Sequence, residues 1–258
     1  MTLATTLAGM FALAALSTSC GGDAPAAEVP ASEAPAGAAS SRLVVAVVDF
    51  SGSLTSHATS DARAYLKEVV QGLDFGDRFV LLEMYRTGTR DSVGRFVQDM
   101  PDAMRPDAIT SYDRRQLDAA KRGVLNALPV FFDPRFVGSV PTTDILTTLH
   151  IASEYLRDAD ERTKELLLLS DMLQSTPSGF EFGGARRMPT DGWVASQQSA
   201  SRIPPLDGTC VVVIGGDPTT PAGQQVRAFW IDWFEAAGAA LEPANYRARP
   251  PVEVIGCD

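Results

Sequence analysis

Short apolar runs alternate with longer amphipathic segments along most of this chain. A nearly uninterrupted run rich in Val begins at Arg42, RLVVAVVDF, which is typical of a strand buried on both faces of a sheet. Three later runs have the same character: KELLLLSDM, CVVVIGG and PVEVIG. A polar stretch, RTGTRDS, separates two further apolar segments, which predicts a hairpin of two antiparallel strands.

Amphipathic segments with helical spacing lie between the predicted strands. They are SDARAYLKEVVQGL, DRRQLDAAKRGVLNAL, TDILTTLHIASEYLRDA and AGQQVRAFWIDWFEAAGA. We expect Pro129 to stop the second of these helices. Strands that alternate with helices predict a doubly wound α/β fold, with a mostly parallel sheet, one antiparallel edge strand and helices on both faces. We expect one such domain over residues 42–258.

A long insertion, at about residues 174–209, separates two of the predicted strands. It exceeds the roughly 2–6 residues that usually connect elements of an α/β fold. It carries aromatic and arginine side chains of the kinds that anchor protein interfaces, namely Phe180, Phe182, Arg186, Arg187 and Trp193. The residues leave two hypotheses open: the insertion determines which protein partner binds, or it packs its aromatic side chains onto the domain.

The first 41 residues have a different composition from the rest. Residues 1–20 are apolar and uncharged and end at Cys20, and residues 21–41 are rich in Ala, Pro, Ser and Glu. The first segment resembles a bacterial lipoprotein signal, which implies lipidation at Cys20 and export to a bacterial membrane. A short membrane anchor and a cleaved signal are the alternatives. The second segment is typical of a disordered tether.

Charge and cysteine content limit the expected partners and compartment. The formal net charge of −10 argues against nucleic acid or an anionic membrane surface as a partner. We therefore expect membrane contact through the lipid alone. An exported compartment permits a disulfide between Cys210 and Cys257, although two buried free thiols are equally compatible with the sequence.

Oxygen-bearing side chains follow several of the predicted strands. Asp49 ends the first strand and is followed by Ser51 and Ser53, Asp171 ends a later strand, and Thr143 begins a helix. Since the carboxyl ends of parallel strands share one edge, these side chains are expected to converge there. Carboxylate and hydroxyl oxygens suit Mg²⁺ or Mn²⁺. Asp-x-Ser-x-Ser alone is also what an ordinary strand-to-helix turn contains.

Together, DFSGS, TDILTTL and SDM resemble the metal-ion-dependent adhesion site of von Willebrand factor type A (VWA) domains, and the resemblance covers nearly all of residues 42–258. Met172 differs from the glycine often found there in the family. The resemblance implies a metal site whose open coordination position takes an acidic side chain of a protein partner. The residues implied are Asp49, Ser51, Ser53, Thr143 and Asp171.

We therefore expect a membrane-tethered, extracytoplasmic binding module rather than an enzyme. Its partner would be a protein that presents an Asp or Glu. One alternative is a metal-free structural subunit of the cell envelope. The other is a metal-dependent phosphoesterase with Asp49 as nucleophile. No Gly-x-Ser-x-Gly motif of a serine hydrolase occurs in the sequence.

Overall fold

A computed structural model describes most of the chain beyond the predicted signal and tether. The described residues are 41–51, 56–84, 94–133, 142–159, 162–176, 181–183, 187–251 and 254. Residues Ala38–Asp258 form one compact unit. In the described part of the chain, no helix is both long enough and apolar enough to cross a bilayer. The predicted signal and the tether through residue 40 lie outside the described residues.

The secondary structure follows the order that the hydrophobic pattern predicts. The strands are β1 (Arg42–Val48), β2 (Arg78–Glu83), β3 (Arg95–Asp99), β4 (Thr163–Leu169), β5 (Gln174–Ser175), β6 (Glu181–Phe182), β7 (Thr209–Ile214) and β8 (Tyr246–Arg247). The helices are α1 (Ser56–Gln71), α2 (Ser111–Phe131), α3 (Ile145–Arg157), α4 (Trp193–Ser199) and α5 (Pro221–Ala236). A single 3₁₀ turn, Pro243–Asn245, precedes β8.

Six of these strands form one sheet in the order β3-β2-β1-β4-β7-β8. All its neighbouring pairs are parallel except β2 and β3, which are antiparallel. This confirms the predicted mostly parallel sheet with one antiparallel edge strand. The register aligns Val48 with Leu169 and Leu169 with Ile214. The central strands therefore end at the same level, and the residues that follow them share one edge of the sheet.

Helices cover both faces of the sheet, and each face has its own apolar core. One core joins alternate residues of β1, β4 and β7 to α3 and α5, and the other joins the remaining strand residues to α1 and α2. Trp230, Trp233 and Phe234 of α5 are almost completely buried. The aromatic stripe of α5 thus belongs to the core, as its helical spacing predicts.

Two sequence-based expectations about element ends are wrong. Helix α2 continues past Pro129 to Phe131. The proline lies in the last turn, where its missing N–H removes one hydrogen bond and leaves the rest of the helix intact. Among the described residues, the last strand of the sheet is β8, which pairs with Val213 and Ile214. Pro251 and Val254, the described residues of the predicted last strand, lie outside any strand.

Candidate metal centre

Asp49 lies directly after β1, and its carboxylate is held inside the protein. The side chain is 2% exposed, and its backbone N–H donates to the carbonyl of Leu169 in β4 over 3.0 Å. Oδ1 accepts a hydrogen bond from the backbone N–H of Ser51 at 2.7 Å, and Oδ2 accepts one from the hydroxyl of Ser170 at 2.8 Å. Residues that follow the neighbouring strands β1 and β4 therefore orient both carboxylate oxygens of Asp49.

The turn that follows β4 is tied to the sheet and to α5. The backbone N–H of Ser170 donates to the carbonyl of Ile214 at 2.9 Å, and its hydroxyl accepts from the N–H of Met172 at 3.0 Å. Met172 is fully buried with φ of 64°, a conformation that costs a non-glycine residue energy. Its carbonyl accepts from Nε1 of Trp230 at 3.0 Å. These bonds hold the strained turn that presents Asp171.

The two carboxylates of this edge interact unfavourably with each other. Burial, and to a lesser extent the negative charge of Asp171, raise the pKa of Asp49 to about 6, although the hydrogen bonds from Ser51 and Ser170 lower it. Within the described residues, no Lys or Arg forms an ion pair with either carboxylate. A bound divalent cation would offset this uncompensated charge, so the donor set fits the ion that the sequence predicts.

Thr143 lies at the start of α3 and is 4% exposed. Its N–H donates to the carbonyl of Ser175 at 2.9 Å, and its own carbonyl accepts from the N–H of Ser175 at 2.7 Å. This bridge ties the helix start to the segment that closely follows Asp171. Neighbouring Asp144 caps α3, since its Oδ1 accepts from the N–H of Thr147 at 3.1 Å.

Gln174 supports the same helix start, a role that sequence reasoning missed. Its side chain is 1% exposed, and Oε1 accepts from the N–H groups of Ile145 at 2.8 Å and Leu146 at 3.2 Å. Its Nε2 donates to Oδ1 of Asp144 at 2.9 Å. The glutamine thus supplies an acceptor to helix donors that lack one within α3. No motif or periodicity marks it, because the contact spans 29 residues.

The structure places four of the five predicted metal ligands, in two groups. Asp49, Ser51 and Asp171 follow adjacent strands at one edge, and Thr143 lies at the bridged start of α3. Ser53 lies outside the described residues. The described residues contain no cluster of three His, Cys, Asp or Glu side chains suited to a metal. Hydroxyl oxygens, as in the predicted set, are further ligands that a site built here could use.

The aromatic and arginine residues of the insertion, which are the candidates for binding a partner, differ in how exposed they are. Phe182 is 1% exposed, with its ring centroid 4.5 Å from that of Phe229, which for this residue supports the second of the two hypotheses that the sequence leaves open. It packs onto the domain, because the β5–β6 hairpin folds it against α5. Trp193 is half-buried at 5.8 Å from the same ring, and Arg187 is exposed. Phe180 and Arg186 lie outside the described residues.

Cys210, at the start of β7, is disulfide-bonded. Both other cysteines, Cys20 and Cys257, lie outside the described residues. The pairing of Cys210 with Cys257 stays a prediction.

Comparisons with known proteins identify no family. No protein-family model matches the chain, and no curated protein matches it. Among solved structures, a protein titled von Willebrand factor type A from Catenulispora acidiphila is similar, with 16% identity and a TM-score of 0.35. The match covers 80% of this chain and 40% of that one, so this chain spans less than half of that protein's length. A likeness at this level bears on neither family nor function.

Proposed function

We propose that this chain is a VWA-type module that binds a protein partner through a divalent cation. The observation that carries the proposal is the pair formed by Asp49 and Asp171 at the carboxyl edge of the sheet. Asp49 is buried, and the nearby charge of Asp171 helps to raise its pKa. Two neighbouring carboxylates repel each other when both are ionised. Because no Lys or Arg of the described residues pairs with either of them, this charged state is disfavoured unless a cation binds there.

The proposed ion is Mg²⁺ or Mn²⁺, because the available donors are hard oxygens and include few carboxylates. The residues that would hold it are Asp49, Ser51, Ser53, Thr143 and Asp171. Three of these five ligands are neutral hydroxyls, so the bound ion would remain a Lewis acid at an open coordination position. An Asp or Glu side chain of a protein partner would complete the coordination there through a charge-assisted bond.

A binding role is better supported than catalysis. A phosphoesterase with Asp49 as nucleophile would need that carboxylate to reach a phosphorus atom. Asp49 is 2% exposed, so a phosphate ester, which is much larger than a metal ion, would have little access to its carboxylate. We therefore expect no hydrolysis of p-nitrophenyl phosphate with Mg²⁺ present. A hydrolysis rate that Asp49→Asn abolishes would support the enzyme instead.

We also propose that the domain is exported and tethered to a bacterial membrane through a lipid on Cys20. The support is the sequence of residues 1–41: an apolar segment that ends in cysteine, followed by a polar, proline-rich stretch. Cys20→Ala should move the protein from the membrane fraction to the aqueous fraction. A variant that remains in the membrane fraction would favour the alternative of an uncleaved anchor.

The metal proposal is tested by isothermal titration of Mg²⁺ into the full chain. We expect saturable binding by the wild type and none by Asp171→Ala. Asp158→Ala is the matched control, because Asp158 follows α3 and its side chain is 77% exposed. It should bind Mg²⁺ as the wild type does. Absence of binding by the wild type, or equal binding by Asp171→Ala, would leave the metal-free structural subunit as the better hypothesis.

A further inference from the structure

Tyr246 brings an unpaired hydroxyl close to the candidate metal centre. It begins β8 and pairs in parallel with Val213, just before the end of β7. The side chain is 2% exposed, and its hydroxyl has no hydrogen-bond partner in the described part of the chain. A buried hydroxyl without a partner is uncommon in folded proteins, because the water that it loses is not replaced. Its position therefore needs a physical reason.

Two glycines after β7 make room for this ring and for the turn that carries Asp171. Gly215 has φ of 110°, and a Cβ on it would lie 2.8 Å from the carbonyl oxygen of Ser170. A Cβ on Gly216 would lie 2.6 Å from the hydroxyl oxygen of Tyr246. Any larger residue at either position would push the neighbouring group away. Gly215 therefore lies against the backbone of Ser170 and Asp171, and the adjacent Gly216 lies against the Tyr246 ring.

Two carboxylates are near enough to act on this hydroxyl. Burial raises the pKa of Tyr246, and the charges of Asp171 and Asp217 raise it further, while Arg227 lowers it. Asp217 already has donors, since Oδ1 accepts from the N–H and hydroxyl of Thr219 at 2.8 and 2.6 Å. Its Oδ2 accepts from the hydroxyl of Thr220 at 2.6 Å.

Of these two carboxylates, Asp171 accepts fewer hydrogen bonds. Its Oδ1 accepts from the N–H of Leu173 at 3.0 Å. A carboxylate has about four acceptor positions, so Asp171 retains capacity for the phenol as well as for an ion. Its side chain is half-buried, so it is less confined than Asp49.

We propose that Tyr246 is a positioning residue of the metal centre, whose hydroxyl donates a hydrogen bond to the Asp171 carboxylate when the ion is bound. This inference rests on the proposed function. The present conformation lacks this bond, because the Tyr246 hydroxyl has no partner in the described part of the chain. The phenol would then fix the orientation of the carboxylate, as the outer hydrogen-bond partners of metal ligands generally do.

The test is Mg²⁺ binding by the full chain and by Tyr246→Phe, measured by isothermal titration. We expect the variant to bind roughly 10- to 100-fold more weakly, the usual effect of removing such an outer partner. Its midpoint of urea unfolding in chelator should equal or exceed that of the wild type, because the lost hydroxyl has no partner there. Gly216→Ala, which displaces the ring, should also weaken Mg²⁺ binding.

The control is Tyr155→Phe, the same chemical change on a partly buried tyrosine of α3. It should leave the Mg²⁺ affinity unchanged. If the wild type binds Mg²⁺ and Tyr246→Phe binds it equally well, this inference is wrong and the proposed function stands. If Tyr246→Phe lowers stability equally with and without Mg²⁺, the residue is purely structural. If the wild type does not bind Mg²⁺, the proposed function and this inference both fail.

Discussion

The hydroxyl of Ser170 donates a hydrogen bond of 2.8 Å to Oδ2 of Asp49, joining residues 121 positions apart at the ends of adjacent strands. The same hydroxyl accepts from the backbone N–H of Met172. One serine therefore connects the buried carboxylate with the strained turn that follows β4. This connection makes the candidate metal centre sensitive to changes in either strand end.

Ser170→Ala should destabilise the protein by about 1–3 kcal/mol, because Asp49 and the N–H of Met172 would each lose a buried partner. The measurement is urea unfolding in chelator. Ser153→Ala is the control: Ser153 is also buried, but its hydroxyl bonds the carbonyl of His150 within its own helix. That change should cost less, and an equal cost would show that the Ser170 bonds add nothing.

The stability of the metal-free protein should depend on the protonation of Asp49. Its pKa is raised from 3.8, the value of an unperturbed aspartate, to about 6 in the folded protein, so the folded state binds the proton more tightly. Stability in chelator should therefore fall as pH rises from about 4 to 6, by up to about 3 kcal/mol. Saturating Mg²⁺ should remove this loss, because the ion favours the ionised carboxylate.

The control for this pH effect is Asp49→Asn, because burial also raises the pKa of Glu165 despite the nearby Arg42. The quantity to compare is the free energy of unfolding of the two proteins in chelator at several pH values. The variant should lack the part of the decline that Asp49 causes. Equal slopes for the wild type and the variant would contradict the assignment.

Gln174→Leu should destabilise the protein by about 2–4 kcal/mol, because the N–H groups of Ile145 and Leu146 would lose their buried acceptor. Weaker Mg²⁺ binding should accompany this loss, since the same helix start carries Thr143. Gln225→Leu, at an exposed position of α5, is the control for the change of residue type. Equal unfolding midpoints for the two variants would show that Gln174 does not hold the helix start.

Cys210 should be linked to Cys257. If Cys20 carries a lipid on its sulfur, Cys257 is the remaining partner for the disulfide of Cys210. Peptide mapping by mass spectrometry under non-reducing conditions should find the two peptides joined, and reduction should separate them. Detection of Cys257 as a free thiol would contradict the pairing.

The sequence predicted best the strands that are buried along their whole length. β1, β4 and β7 are buried on both faces, so each appears as an apolar run, and the polar residue that ends a run marks the edge of the sheet. Asp49 and Asp171 could therefore be assigned to that edge. The helical spacing after Thr143 assigned it to a helix start, and the resemblance to a known motif supports it as a ligand.

Roles that depend on distant contacts could not be predicted in this way. Gln174 and Tyr246 act through neighbours brought close by folding, and neither belongs to a periodic pattern. The residue type of Phe182 is common both at interfaces and in cores, so the sequence leaves its role open, and the β5–β6 hairpin places it in the core. β8 has only two residues in a polar stretch, so its sequence shows no strand pattern.

The most direct test of the central claim is the melting temperature of the full chain in chelator and then with rising Mg²⁺. A ligand that binds only the folded state stabilises it by about 2.7 kcal/mol at a hundredfold excess over Kd. We predict a saturable rise in melting temperature that Ser51→Ala/Ser53→Ala abolishes. A melting temperature that does not change with Mg²⁺, or an equal rise in the double variant, would contradict a metal centre at this edge.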